Sequence, residues 1–395
     1  MGVLLYAKIV LRIVFVILNN IYTIPTYCLW MLVLQPFKHL HPDFYWKMEG
    51  IFFHWLLAMV SMWSWSAGYD IVEVGDDIRC CLSCRTLVIA NHQSTADVPM
   101  LMATFNARPT VLPNIMWIMD RVFKFTNFGI VSVLHEDFFI LSGRKARDEG
   151  ITQLRNHLHN SYLPRNRKLM ILFPEGGFLR KRREASQRYA LKHNHPILNH
   201  VSLPRMGAMQ AIIDTLTPST SANNKLSSNN NSTDSSSQSS TTSPAESLSS
   251  VTTPLKLSQH HSGGGSVAAD DQLSWVLDIT VAYPEGKPLD LPTIICGQRK
   301  PCQTLLFYRM YPIAQLPKEP EELMKWLFAR WEEKEKILSH YYQTGELPVK
   351  EYCTSPMPPQ RVVQDGLRFF ILHMFFIAST YLHYRLLTYF YTLVW

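Results

Sequence analysis

Three long apolar stretches bracket this chain and limit what it can fold into. Residues 3–34 are strongly apolar, with Lys8 and Arg12 near the start, Asn19 and Asn20 midway and Pro25 beyond. They read as one long or broken membrane helix, too long and without the small-residue cleavage site of a signal peptide. Residues 50–69, GIFFHWLLAMVSMWSWSAGY, are about as long as a bilayer-spanning helix requires. Trp63, Trp65 and Tyr69 suit an interfacial belt at its end. Residues 367–395 form a third stretch, interrupted by His373, His383 and Arg385, that can span a bilayer or lie along its surface.

The middle of the chain alternates. Arg85–Ala90, Ile130–Leu134, Lys168–Phe173 and Val201–Leu203 have the composition of short strands. Helical patterns cover Ser94 to about Phe105, the residues from Gly143 to about Asn160, and Arg205 to Leu216. From Thr217 to Asp270 the residues are mostly Ser, Thr, Asn, Gln and Gly, a composition with too little apolar surface to build a core. Strand-like sequence resumes with WVLDITVAY and TLLFYRMYPI. Glu321–Tyr342 is an amphipathic helix whose Leu323, Leu327, Ile337, Leu338 and Tyr341 recur at helical spacing, with Gly345 as a stop. Alternating strands and helices predict an α/β fold with a mostly parallel sheet and surrounding helices. N-terminal membrane helices (1–72) precede the core (73–216). A disordered insertion (217–270), the rest of the domain (271–350) and a C-terminal membrane or interfacial segment (351–395) follow.

The formal charge of +7 is uneven. Arg79 to Asp214 holds 19 Lys and Arg against 9 Asp and Glu, and the remainder 19 against 22. A phosphate-bearing ligand, anionic lipid heads or nucleic acid would complement that region, and a solvated basic face would also account for it. The apolar stretches argue against nucleic acid. Seven cysteines in 395 residues make no disulfide framework, and the C-x-x-C at Cys81 and Cys84 has no second pair at zinc spacing. No zinc, P-loop or dinucleotide motif is present, so no metal or nucleotide cofactor is expected.

One segment has the pattern of a catalytic pair. In VIANHQSTADVPM a strand ends at Ala90, Asn91 and His92 occupy a turn, and a helix begins at Ser94. In a continuous helix, positions five apart point about 140° apart. With His92 in the turn and Asp97 in the first helical turn, the carboxylate can reach back to the imidazole and make it a general base. The same S-T-A-D also fits a capping box, in which Asp97 only caps the helix. Three further blocks follow: HEDFFILSGRKARD at 135–148, ILFPEGGFLRKRRE at 171–184 and VSLPR at 201–205. Glycines after a buried strand let backbone N–H groups approach an anion, and the basic run behind them suits phosphate.

In this order and spacing the blocks resemble the glycerolipid acyltransferase family. NHQSTAD matches its N-H-x4-D block, FPEGG its F-P-E-G block, DFFI its acceptor-binding strand and SLP its last block. The resemblance implies an enzyme with His92 and Asp97 as catalytic dyad. It implies substrate contacts from Asn91, Arg144, Glu175, Gly176, Gly177, Arg180, Lys181 and Pro204. Gly177 stands where many members have Thr, and Glu136 and LSGR depart from the usual second block, which shifts acceptor preference away from lysophosphatidic acid. NNIYTIP, WSWSAGY, MDRVFKFTNFGIVS and YYQTGELP resemble the branch that reacylates lysophospholipids, including lysophosphatidylglycerol and lysophosphatidylethanolamine, in the endoplasmic reticulum. Acyl-CoA and a lysophospholipid are then the substrates and membrane lipids the partners, with His92 facing the cytosol. Monoacylglycerol or lysocardiolipin are alternative acceptors. A non-catalytic anionic-lipid-binding protein is the alternative from another class, and the intact His92–Asp97 pair speaks against it.

Overall fold

The computed structural model describes residues 2–140, 147–217 and 272–395. Arg144 and nearly all of the predicted insertion lie outside the described residues. Strands β1 (Tyr69–Gly75), β2 (Thr86–Ala90), β3 (Ile115–Asp120), β4 (Phe138–Ile140), β5 (Leu169–Leu172), β6 (Trp275–Ala282), β7 (Cys302–Pro312) and β8 (Met357–Arg361) form one sheet in the order β4-β3-β5-β2-β6-β7-β1-β8. Strands β4, β3, β5, β2 and β6 are mutually parallel. β7 turns antiparallel to β6, β1 is parallel to β7, and β8 closes the edge antiparallel to β1. The sheet is thus mostly parallel, as the alternation predicts.

The helices are α1 (Gly2–Leu34), α2 (Phe37–Leu40), α3 (Pro42–Trp65), α4 (Asp97–Asn106), α5 (Asn127–Leu134), α6 (Arg147–His157), α7 (Leu179–Lys192), α8 (Gly207–Leu216), α9 (Leu291–Cys296), α10 (Pro320–Thr344), α11 (Val349–Tyr352) and α12 (Gly366–Val394). They cover both faces, and the two-residue period of the strands divides the core accordingly. Val88, Ala90, Ile171, Leu277 and Ile279 pack with α3, α4 and α9. Leu87, Ile89, Met170, Leu172 and Val276 pack with α6, α8 and α10.

Several elements differ from the sequence expectation. Ile130–Leu134 belongs to a helix, α5, because Thr126 caps it through a bond from Gly129 N–H (3.0 Å) and a five-residue apolar run does not fix its own period. Val201–Leu203 joins no strand, because its N–H groups go to Glu335, Glu175 and the Ser186 hydroxyl instead of a ladder. β1 crosses the expected end of the membrane segment at residue 72 and β8 lies within the expected C-terminal segment, yet both pair in the sheet.

The second apolar stretch is α3, and it belongs to the folded body. Leu56, Leu57, Ala58 and Met59 are consecutive and all buried, so the helix is covered all round at this level and offers lipid no face there. Its Glu49 carboxylate accepts from Tyr27 of α1, from His135 Nδ1 and from Arg165 Nη2, each at 2.7 Å. Among the described residues only α1 is long and apolar enough to cross a membrane. α12 runs against α1 through Tyr22–His373, Trp30–Ser379 and Thr26–Thr380 hydrogen bonds. Beyond Thr380 it exposes Leu382, Leu386, Leu387, Phe390 and Leu393.

The two sides of the Ser/Thr-rich region meet in the core, where Leu273 N–H donates to Leu216 O at 2.9 Å. Loop-closure cost grows slowly with length, so a short flexible bridge from Thr217 to Gln272 closes the same gap. Deleting 218–271 in this way is expected to leave the melting temperature within a few degrees and the activity intact, as thermal unfolding and turnover assays would show. Loss of both would mean that the region contributes to the domain.

Candidate active site

The parallel strands β2, β5 and β6 end at one edge of the sheet, where open α/β folds place their sites. Past the end of β2, Asn91 fixes the turn. Its Oδ1 accepts from Val281 N–H (2.7 Å) and its Nδ2 donates to Val281 O (3.1 Å). Both ends of the Asn91 amide are therefore occupied by β6, and this fully buried side chain ties the turn to the sheet.

His92 Nδ1 lies 2.8 Å from Asp97 Oδ2. The same Oδ2 accepts from Ser94 N–H at 2.9 Å, so the capping box and the dyad are one arrangement. α4 begins at Asp97 and not at Ser94, because Ser94 and Thr95 turn outward to bond Leu289 O and Leu291 N–H. Asp97 Oδ1 accepts from the Tyr283 hydroxyl at 2.6 Å. With Nδ1 engaged, Nε2 is the ring nitrogen left for a substrate proton, and among the described residues it has no hydrogen bond. The imidazole stacks on Phe173 (4.1 Å between centroids) and meets the edge of Phe178 (4.5 Å), and the residue is 8% exposed.

Glu175 is a node of buried hydrogen bonds. Oε1 accepts from His92 N–H (3.0 Å) and Trp331 Nε1 (3.3 Å), and Oε2 from Ser202 N–H (3.1 Å) and Ser202 Oγ (2.7 Å). Four donors fill the acceptor sites of a carboxylate that is 0% exposed. Burial pushes its pKa up to about 7, against the opposing pull of the Ser202 and His92 donors.

Gly176 and Gly177 hold φ of 69° and 150°, in the region that favours glycine. A Cβ at Gly176 would lie 3.3 Å from the Arg205 guanidinium, and one at Gly177 3.3 Å from Arg182 Cδ. Arg182 is partly buried and its Nε is without a partner among the described residues. Arg180 and Lys181, by contrast, stand exposed on the outer side of α7. Pro204 is buried, and beside it Arg205 N–H bonds Pro174 O at 2.8 Å. The structure thus gathers His92, Asp97, Glu175, Gly176 and Gly177, and brings Arg182 and Arg205 to the glycines where the sequence suggested Arg180 and Lys181. Tyr283, Ser202 and Trp331 were not anticipated. The only signal for Tyr283 is that WVLDITVAY carries a hydroxyl at the end of a strand beside β2. Among the described residues no group of three or more His, Cys, Asp or Glu side chains could hold a metal ion.

A His-carboxylate pair at the carboxyl end of a mostly parallel sheet, beside a glycine turn flanked by two arginine side chains, has the geometry that base-assisted transfer onto a hydroxyl requires. The acyltransferase family description matches residues 79–217, and the acyltransferase C-terminus description residues 293–375. The chain belongs to the acyltransferase family. It is 38% identical over 387 residues to the human acyl-CoA:lysophosphatidylglycerol acyltransferase 1, covering 98% of this chain and 95% of that one. The mouse protein of the same name is 37% identical over 393 residues, with the same coverage. Lysocardiolipin acyltransferase 1 of Danio rerio is 23% identical over 313 residues, covering 79% of this chain and 66% of that one.

Two outcomes follow from this geometry. Asp97→Asn keeps an acceptor for Ser94 N–H but cannot stabilise an imidazolium, so kcat is expected to fall by about two orders of magnitude or more. Tyr283→Phe removes one hydrogen bond and should lower kcat roughly tenfold or less, with KM unchanged. Near-normal turnover in Asp97→Asn would leave only the capping role. Glu175 supplies a pH test. Its folded pKa lies above the ordinary 4.5, so the folded state holds the proton longer and stability is lost as pH rises from about 4.5 to about 7. The melting temperature of the wild type relative to Glu175→Gln should therefore decline across that window, and a constant difference would contradict it.

Proposed function

We propose that this chain transfers a fatty acyl group from acyl-CoA to the free hydroxyl of a lysophospholipid, with lysophosphatidylglycerol or lysophosphatidylethanolamine as acceptor. The observation that carries the proposal is the His92–Asp97 pair, buried, doubly tied and set beside the glycine turn. His92 Nε2 takes the proton of the acceptor hydroxyl as the oxygen attacks the thioester carbonyl carbon. The tetrahedral intermediate collapses with cleavage of the C–S bond, and the imidazolium returns the proton to the CoA sulfur. Asp97 holds the ring and stabilises its charged form, so no group on the enzyme is consumed. The nearly full-length similarity to enzymes named for lysophosphatidylglycerol favours that acceptor.

Arg182 and Arg205 flank the glycine turn and supply the positive charge that an acceptor phosphate or the phosphates of CoA require. The apolar α1 and the exposed apolar end of α12 support attachment to a membrane. Because acyl-CoA is a cytosolic metabolite, on this reading His92 faces the cytosol, and the sequence resemblance to lysophospholipid-reacylating enzymes supports the endoplasmic reticulum as the membrane concerned.

The test is turnover by the purified protein, with one acyl-CoA, on lysophosphatidylglycerol, lysophosphatidylethanolamine, lysophosphatidic acid, lysocardiolipin and monoacylglycerol. Preference for the first two is expected. Preference for monoacylglycerol, or no acyl transfer to any of them, would overturn the proposal. Arg182→Ala and Arg205→Ala are each expected to raise KM for a phosphate-bearing substrate roughly tenfold or more, while Arg180→Ala and Lys181→Ala change it little. Equal effects of all four would return the role to a diffuse basic surface.

A further inference from the structure

The turn between β3 and α5 is built to show apolar side chains to its surroundings. Every residue from Arg121 to Asn127 is exposed, with Val122 at 72% and Phe125 at 81%. This is not loose chain. Asp120 Oδ1 accepts from Val122 N–H at 3.0 Å, Thr126 N–H donates to Phe123 O at 3.1 Å, and Thr126 Oγ1 takes Gly129 N–H at 3.0 Å. The backbone is tied at three points while Val122, Phe123 and Phe125 are left in the open, beside the cations Arg121 and Lys124. Single exposed apolar residues are ordinary, but a clustered group on a fixed turn marks an interaction surface.

Two features of position point to its occupant. β3 runs parallel to β5 and β5 to β2, so the turn leaves the sheet at the same edge as His92. Asn127 Nδ2 also donates to Asn20 Oδ1 of α1 at 3.2 Å, which sets the turn against the part of α1 whose Ile17, Leu18 and Ile21 are exposed. The patch therefore continues the apolar surface of the candidate membrane helix, and Ile130 and Val133 on α5 extend it. We infer that the 121–125 turn is a second membrane contact, in which Val122, Phe123 and Phe125 enter the lipid of the leaflet that presents the acceptor while Arg121 and Lys124 meet its anionic headgroups. The inference rests on the membrane attachment of α1 proposed above. It gives the catalytic edge a fixed distance from the lipid surface.

The experiment places a solvatochromic amino acid, one position at a time, at Phe125, at Leu11 on the exposed side of α1 and at Ser83 at the opposite edge of the sheet. The full chain is reconstituted in phosphatidylcholine bilayers containing phosphatidylglycerol and challenged with brominated lipid and with aqueous iodide. Position 125 is expected to be quenched by the lipid and protected from iodide, as position 11 is, while position 83 shows the reverse. Iodide quenching at 125 with lipid quenching at 11 would overturn the inference and leave the attachment of α1 standing. Iodide quenching at both would overturn both. Protection of 125 from both quenchers would assign the patch to a protein contact and also overturn the inference. In kinetics, the double variant Phe123→Ser, Phe125→Ser should raise KM several-fold for lysophosphatidylglycerol presented in a bilayer and leave turnover on a soluble short-chain acceptor unchanged. Equal loss on both acceptors would point to a damaged fold and contradict the contact.

Discussion

Four donors from three separate parts of the chain converge on the buried Glu175 carboxylate: the His92 turn, the Ser202 loop and Trp331 of α10. Through it the end of β5 grips the backbone N–H of His92, while Leu179 N–H at the start of α7 grips the His92 carbonyl at 2.8 Å. The peptide groups on both sides of the His92 Cα are thus tied before the side chain makes any contact. Asn91 fastens the preceding residue to β6 in the same way. The ring is then placed by Asp97 on one side and Phe173 on the other, so little motion has to be frozen when substrate arrives. α10 can serve as a brace because it is itself anchored. Lys334 is buried and donates to Ile279 O (2.7 Å) and Thr280 Oγ1 (3.1 Å), with Asp278 as counter-charge. Burial pulls its ammonium pKa below the usual lysine range, and Asp278 pulls it back up.

Much of this was legible from residue pattern. The strands RTLVIA, KLMILF and WVLDITVAY announce themselves by continuous apolar runs, as buried parallel strands do. The long amphipathic helix and its Gly345 stop are likewise where the spacing puts them, with Gly345 in the left-handed region. β1, β3 and β8 were not legible. β1 alternates weakly as YDIVEVG, the IMWIMD of β3 follows a proline-containing turn, and β8 is the proline-bearing edge segment MPPQR, tolerated only at an edge. The His92–Asp97 pairing was readable because five residues of local chain carry it. Tyr283, Trp331 and Arg205 lie far from that block in sequence, and only the sheet order brings them near. Which cation of the run Arg180–Arg183 lies against the glycine turn was not legible either. Four consecutive cations on a helix face four directions, and sequence does not say which one folds back over a glycine.

The polar residues that interrupt the apolar stretches have a common explanation. Arg12 donates to Trp63 O (2.8 Å), Ile294 O (3.0 Å) and Ile295 O (3.1 Å), and Asn19 Oδ1 accepts from Trp63 Nε1 (3.2 Å). With Glu49 they lock α1 and α3 to the sheet-bearing body. α1 is thereby two-sided, its polar contacts inward and its Leu4, Leu11, Ile17 and Ile21 outward. A helix held along its length in this way has its outward apolar face fixed relative to the sheet edge that carries His92.

His92 is the proposed base for acyl transfer. The most direct measurement is single-turnover acyl transfer from acyl-CoA to lysophosphatidylglycerol by purified His92→Ala, alongside its thermal unfolding. The backbone bonds to Glu175 and Leu179 survive the substitution, so the melting temperature should stay close to that of the wild type. The rate should drop by about two orders of magnitude or more. A folded His92→Ala that transfers acyl groups at near wild-type rate would contradict the account.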